Sequence, residues 1–142
     1  MNNNDLQLAK QNLGGNTLVA VRDGNVVATS NLHGIAPMMR LYDDGANLTG
    51  AAVADVVVGK AVAMLFVATG ITAVYGSNMS VAGRDYLEEH GVCVEYGTLC
   101  PYIINRTGDG FCPMEQAVSA TDDPMEGIAL LKATIAKLIT HK

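Results

Sequence analysis

The short stretch Cys112-Pro113-Met114-Glu115 places a thiol and a carboxylate at the start of a predicted helix. Proline suits the first helical position, so Cys112 falls at the cap, with its sulfur near unpaired backbone amides. Such amides and the positive end of a helix dipole favour a reactive thiolate. The alternative is a buried small side chain beside a glutamate that completes a capping arrangement, since no histidine has a spacing that marks it as the base for Cys112.

A second set of candidates is Asp55, Gly59 and Lys60, which interrupt the apolar stretch Ala51–Gly70. This stretch is apolar on nearly every side and predicts one central helix buried between a sheet and other helices. Asp55 would then lie in the first turn, where the dipole favours a carboxylate whether or not it has a function. Lys60 must reach solvent or meet an anion. Gly59 indicates a close approach by backbone or ligand, because glycine destabilises a helix.

Asn105 and Arg106 form a third candidate, just before a glycine-rich turn. The planar fork of an arginine suits a phosphate or a carboxylate, although a solvated loop arginine is the simpler interpretation. An acidic protein has few cations to place, so Lys60 and Arg106 together are of more interest than either alone. We expect Lys60, Arg106 and Cys112 to converge on one anion-binding pocket near the start of the central helix.

The elements predicted around these residues alternate between strands and helices. They are a helix over 5–13, hairpin strands over 17–22 and 25–30 with a turn at Asp23-Gly24, a helix through about Tyr42, the central helix, a strand over 71–75, a helix over 81–90 capped by Asn78 or Ser80, a strand over 92–96 and a helix over 124–140. This order predicts a single α/β domain over 1–142 with its core at about 17–118. Its architecture is a three-layer mixed sheet flanked by helices.

Composition restricts the class of protein. Hydrophobic residues make up 49% of the 142 residues and charged residues 16%, which favours a homodimer or larger oligomer that covers apolar surface. The net charge of −5 argues against nucleic-acid binding. Three cysteines without paired spacing, and no apolar leader after Met1, indicate reduced thiols and a cytoplasmic location without membrane insertion.

The element order invites comparison with the cytidine deaminase fold. Zinc deaminases need three protein ligands and a proton-shuttling glutamate, supplied by His-x-Glu or Cys-x-Glu and by Pro-Cys-x-x-Cys at the starts of two core helices. Here the first core helix is predicted to open at Val53-Ala54-Asp55 and the second at Ser77–Val81, and neither supplies these residues. We therefore expect no zinc, no other cofactor and no zinc-dependent deamination.

Four segments carry a family resemblance: Asp55-x-x-x-Gly59-Lys60-Ala61, Pro101-Tyr102-Ile103, Asn105-Arg106 and Cys112-Pro113-Met114-Glu115. On these the sequence resembles an uncharacterised prokaryotic family, a domain of unknown function with a cytidine-deaminase-like fold. The resemblance covers about Thr17 to Val118. It implies the fold and the absence of zinc ligands, and it implies no activity.

The favoured hypothesis is a zinc-free deaminase-fold protein that binds a small anionic, nucleotide-like ligand. Its site residues are Asp55, Gly59, Lys60, Asn105, Arg106, Cys112 and Glu115, with Cys112 as the one candidate catalytic group. One alternative is a non-catalytic, homo-oligomeric interaction module. Another is a thiol enzyme or redox sensor that uses Cys112.

Overall fold

The computed structural model describes residues 3–32, 34–103 and 112–140. The elements within them are α1 (Asn3–Gln11), β1 (Leu18–Arg22), β2 (Asn25–Ser30), α2 (Ala36–Asp43), β3 (Ala52–Val58), α3 (Lys60–Ala68), β4 (Ala73–Ser80), α4 (Val81–Glu89), β5 (Cys93–Cys100), α5 (Pro113–Val118) and α6 (Pro124–Thr140). No helix among the described residues is both long and apolar enough to cross a membrane.

The five strands form one mixed sheet in the order β2-β1-β3-β4-β5. Strands β3, β4 and β5 are parallel, and β1 runs antiparallel to both β2 and β3. The carboxyl ends of β3, β4 and β5 therefore meet at one edge of the sheet, where α3 and α4 begin. Such an edge is where open α/β sheets place their ligands.

Helices cover both faces of the sheet, so the predicted three-layer α/β architecture is confirmed. The main core lies under α2 to α6, with Phe66 and Leu65 of α3 fully buried against sheet residues such as Leu18. On the opposite face α1 packs Ala9 against Val19. Because α3 lies between the sheet and the other helices, it is buried on nearly every side, as its apolar sequence requires.

The central helix predicted over 51–70 is wrong in its first half. Ala52–Val58 is strand β3, and the helix begins only at Lys60. A strand with neighbours on both sides and helices on both faces is a continuous apolar run, which periodicity does not distinguish from a buried helix. The first core helix therefore starts after Gly59, not at Val53-Ala54-Asp55.

The predicted hairpin is confirmed, and its turn gives the buried Asp5 its hydrogen-bond partners. Asp23 and Gly24 both have positive φ, at 54° and 79°, as a type I′ turn needs. Asp5, the first residue of the helix predicted over 5–13, lies inside α1 and not at its start. Its carboxylate instead accepts hydrogen bonds from the backbone N–H groups of Asp23 and Gly24, at 3.0 and 2.9 Å. Asp5 thus ties the hairpin to the helix.

Candidate functional site

A cleft of about 280 Å³ opens at the carboxyl ends of the three parallel strands. We call it the carboxyl-edge cleft. Its lining residues are Lys60, Ser80, Ala82, Pro101, Tyr102, Ile103, Glu115, Gln116 and Ser119. Each strand contributes through the segment that follows it: α3 after β3, α4 after β4, and Pro101–Ile103 after β5. The fourth wall is α5.

Glu115 caps helix α3 from a distant point in the chain. The backbone N–H of Lys60 donates to Oε1 and that of Ala61 donates to Oε2, both at 2.7 Å. These amides have no partner within the helix, and the positive end of the helix dipole favours a carboxylate there. Burial raises the pKa of Glu115, while the two amides and the Lys60 charge oppose that rise. The anion position at the start of α3 is therefore filled by the protein itself.

Gly59 makes room for this carboxylate. A Cβ at residue 59 would overlap the Glu115 carboxylate. The backbone φ of Gly59 is −111°, which any residue adopts, so the requirement for glycine comes from space and not from conformation. Gly83 of α4 also approaches closely, since a Cβ there would lie 2.9 Å from the Gly59 carbonyl carbon. Two glycines thus allow the starts of α3 and α4 to meet beside the cleft.

Lys60 is held at the cleft by one exposed aspartate. Its ammonium lies 3.0 Å from Oδ1 of Asp122, and the side chain of Lys60 is 13% exposed whereas that of Asp122 is 77% exposed. The sequence predicted that Lys60 must reach solvent or meet an anion, and the structure supplies an anion. An ion pair with so exposed a partner contributes about 1 kcal/mol or less.

Asp55 does not line the cleft. The prediction placed it in the first turn of a helix, but it lies in β3 between Leu18 of β1 and Gly76 of β4. It is 4% exposed, and desolvation raises its pKa to about 8. The backbone nitrogen of Val57 lies 3.4 Å from Oδ1 of Asp55, while Oδ2 has no hydrogen-bond partner in the described part of the chain. Asp55 is a buried carboxyl that its surroundings keep protonated near neutral pH.

Cys112 lies at the predicted helix cap, directly before Pro113 of α5. Its side chain makes no capping hydrogen bond and does not line the cleft, although its backbone N–H donates to the Ile103 carbonyl at 3.1 Å. A thiol function for Cys112 stays a prediction. Asn105 and Arg106 lie outside the described residues.

Zinc deaminases carry their metal ligands at the starts of two core helices, and in this structure those helices are α3 and α4. The residues around the start of α3 are Gly59-Lys60-Ala61-Val62, and those around the start of α4 are Ser80-Val81-Ala82-Gly83. Neither group contains a histidine, a cysteine or a glutamate. Among the described residues no three His, Cys, Asp or Glu side chains are grouped to hold a metal ion.

Sequence reasoning missed several residues of the cleft. Ser80 was predicted only as one of two alternative helix caps, with Asn78, and it is the cap of α4, since its hydroxyl accepts from the Gly83 N–H at 3.0 Å. Tyr102 appeared in a family segment but was given no role. Asp122, which does not line the cleft but pairs with Lys60, was not singled out. The order of the strands could have identified these residues, because residues that follow neighbouring parallel strands gather at one edge of the sheet. The misassignment of β3 concealed that signal.

Comparison with known proteins gives one clear relationship. Residues 7–135 match the family described as domain of unknown function DUF1893. The crystal structure of a DUF1893 family protein from Thermotoga maritima superposes with a TM-score of 0.83 at 25% identity, covering 96% of this chain and 92% of that one. No curated protein matches the chain.

Two deaminase structures are more distant. One is the dCMP deaminase of cyanophage S-TIM5, with a TM-score of 0.47 and 15% identity over 66% of this chain and 94% of that one. The other is a diaminohydroxyphosphoribosylaminopyrimidine deaminase/reductase of Thermotoga maritima. Its TM-score is 0.47 at 18% identity, and the match covers 82% of this chain and 39% of that one. At these scores neither says what this chain binds or does.

Proposed function

This chain belongs to the DUF1893 family of domains of unknown function, and we propose that it binds a small anionic, nucleotide-like ligand in the carboxyl-edge cleft. The observation that carries the proposal is the position of Lys60, a largely buried cation that lines the cleft. Because Glu115 already occupies the amides at the start of α3, the ligand's anionic group contacts the Lys60 ammonium instead.

Replacing Asp122 with a ligand phosphate as the partner of Lys60 costs little free energy. Asp122 is mostly exposed, so its carboxylate returns to water when a phosphate takes its place. The ligand's phosphate gains a less exposed cation than most surface lysines offer. Lys60 is therefore suited to reversible anion binding.

The size and lining of the cleft suit the rest of such a ligand. Its volume of about 280 Å³ is close to the lower end of small-molecule sites, which fits a nucleoside monophosphate and not a dinucleotide. Tyr102, which is 51% exposed, offers an aromatic surface to a planar ring. Pro101 and Ile103 add apolar contact.

Lys60→Met is expected to weaken the binding of cytidine 5′-monophosphate by more than tenfold, or about 1.4 kcal/mol. Isothermal titration calorimetry measures this at low ionic strength. The matched control is Lys132→Met, because Lys132 pairs with Asp43 at 2.9 Å but lies outside the cleft. Asp122→Asn should leave binding unchanged or make it tighter, since it frees Lys60.

Two results would contradict the proposed function. One is the absence of binding by any nucleoside monophosphate at millimolar concentration. The other is an equal loss of nucleotide affinity in Lys60→Met and Lys132→Met, which would show that the loss comes from the lower positive charge of the protein and not from a contact at Lys60.

A homo-oligomeric interaction module is the competing proposal, and one surface favours it. Strand β2 is an edge of the sheet, and its Asn25–Ser30 segment contains no charged residue and no proline. Val26 and Val27 on it are 44% and 41% exposed. Unprotected edges of this kind pair with other strands.

Light scattering is expected to give the mass of a dimer or a larger assembly for the native protein. Val27→Lys should shift that mass toward the monomer, because a charge on an edge strand opposes pairing. Leu130→Lys, at an exposed position of α6, serves as the control. A monomer mass at micromolar concentration that does not change on dilution would count against this module.

A further inference from the structure

The charge arrangement inside the carboxyl-edge cleft is unusual for an anion site. Backbone amides at a helix start ordinarily face the ligand and receive its negative charge. Here the amides of Lys60 and Ala61 are both engaged by Glu115, which itself lines the cleft. At this point the cleft therefore offers the ligand a carboxylate and not a pair of N–H donors.

The Glu115 carboxylate has acceptor capacity left for a ligand. Two carboxylate oxygens provide about four acceptor positions, and the two amides use one on each oxygen. The same two bonds fix the orientation of the carboxylate, and Gly59 leaves space for it because glycine has no Cβ. A fixed acceptor of this kind selects strongly among ligands, since a mismatched group leaves a partly buried carboxylate without its partner.

We infer that Glu115 is a specificity-determining residue, which selects ligands whose ring presents an exocyclic amino group to its carboxylate. The inference rests on the proposed function: Lys60 takes the anionic group and Glu115 takes the donor edge. A ring with an exocyclic amino group satisfies Glu115. A ring with a carbonyl oxygen at the same place faces it with a second acceptor, which repels the carboxylate.

The test compares two ligands whose rings differ at this place and at the neighbouring ring nitrogen, which is a bare acceptor in cytosine and an N–H donor in uracil. Cytidine 5′-monophosphate carries an amino group where uridine 5′-monophosphate carries a carbonyl oxygen, while the phosphate and the ribose are the same. For the native protein we expect calorimetry to show at least tenfold tighter binding of the cytidine nucleotide, because a hydrogen bond to a charged group contributes about 1.5–3 kcal/mol. Glu115→Gln, whose amide both donates and accepts, should reduce this preference to less than about threefold.

Lys60→Met provides the internal control. It removes the contact to the phosphate that both nucleotides share, so it should weaken both and leave their affinity ratio unchanged. A role for Glu115 in stability alone would change the unfolding temperature of Glu115→Gln and leave the ratio of the two nucleotides where it was.

The native protein alone can overturn the inference, so the test does not depend on whether a variant folds. Equal affinity for the two nucleotides, or a preference for the uridine nucleotide, would refute the role of Glu115 while the proposed anion site at Lys60 stands. Binding of neither nucleotide would refute the inference, and the absence of binding by every nucleoside monophosphate would refute the proposed function as well. A tenfold preference that persists in folded Glu115→Gln would assign the discrimination to another residue.

Discussion

Asp55→Asn is expected to remove most of the fall in folding stability between about pH 5 and pH 8. In the native protein, desolvation raises the pKa of Asp55 to about 8, against an ordinary value of 3.8. Over that range the folded protein keeps a proton that the unfolded chain has released. An asparagine cannot titrate, so this source of pH dependence disappears.

The sign follows from proton linkage. Between the two pKa values the folded state binds more protons than the unfolded state, so stability falls as pH rises, by up to about 1.4 kcal/mol per pH unit. The stabilising contribution is fully present below pH 4 and is lost by pH 8. This is opposite to the behaviour of a salt-bridged aspartate. Over the whole range the loss should amount to several kcal/mol, enough to use a large part of an ordinary domain's stability.

Urea unfolding at a series of pH values measures this effect. The matched control is Asp85→Asn, at an exposed carboxylate beside Arg84, which should leave the slope close to that of the native protein. The asparagine variant need not be more stable at low pH, because its amide N–H groups would lack partners where Oδ2 now lies. An unchanged slope in Asp55→Asn would mean that the carboxylate is ionised in the folded protein and has found a compensating partner.

The stretch around Asp55 shows what could be predicted from the sequence and what could not. The β1–β2 hairpin and the α4 cap follow from local rules, since Asp23-Gly24 and Ser80 act within a few residues. The strand β3 does not. Its apolar run is equally suited to a helix or a buried strand, and the choice between them depends on its pairing with β1 and β4, which lie distant in the chain.

In the candidate site, too, some residues could be predicted from the sequence and others could not. Gly59 and Lys60 were recognisable because a glycine and a lysine are unusual within so apolar a stretch. Their partners were not, because Glu115 reaches α3 across 55 residues and Asp122 reaches Lys60 across a comparable separation. Glu115 was predicted as a site residue, with capping of its own helix as the alternative, whereas the helix it caps is α3. Sequence spacing gives no information on such a contact until the order of strands is known.

The contact between Gly59 and Glu115 leads to the second large effect. Gly59→Ala should destabilise the protein by about 2–3 kcal/mol, because the new methyl group overlaps the carboxylate and forces it away from two amides to which charge-assisted hydrogen bonds are made. Gly14→Ala is the control. No atom lies within 4 Å of its added Cβ, and its φ is not positive, so it should be neutral or slightly stabilising.

A double-mutant cycle isolates this cause from the general effect of replacing a glycine. Once Glu115→Ala has removed the carboxylate, adding Gly59→Ala should cost less than about 1 kcal/mol, since residue 59 has an ordinary backbone conformation. The two substitutions should therefore be strongly non-additive in urea unfolding, with a coupling of about 2 kcal/mol. Additive losses would mean that the cost of Gly59→Ala does not come from overlap with the Glu115 carboxylate. In that case the carboxylate would not hold the position on which its proposed selectivity depends.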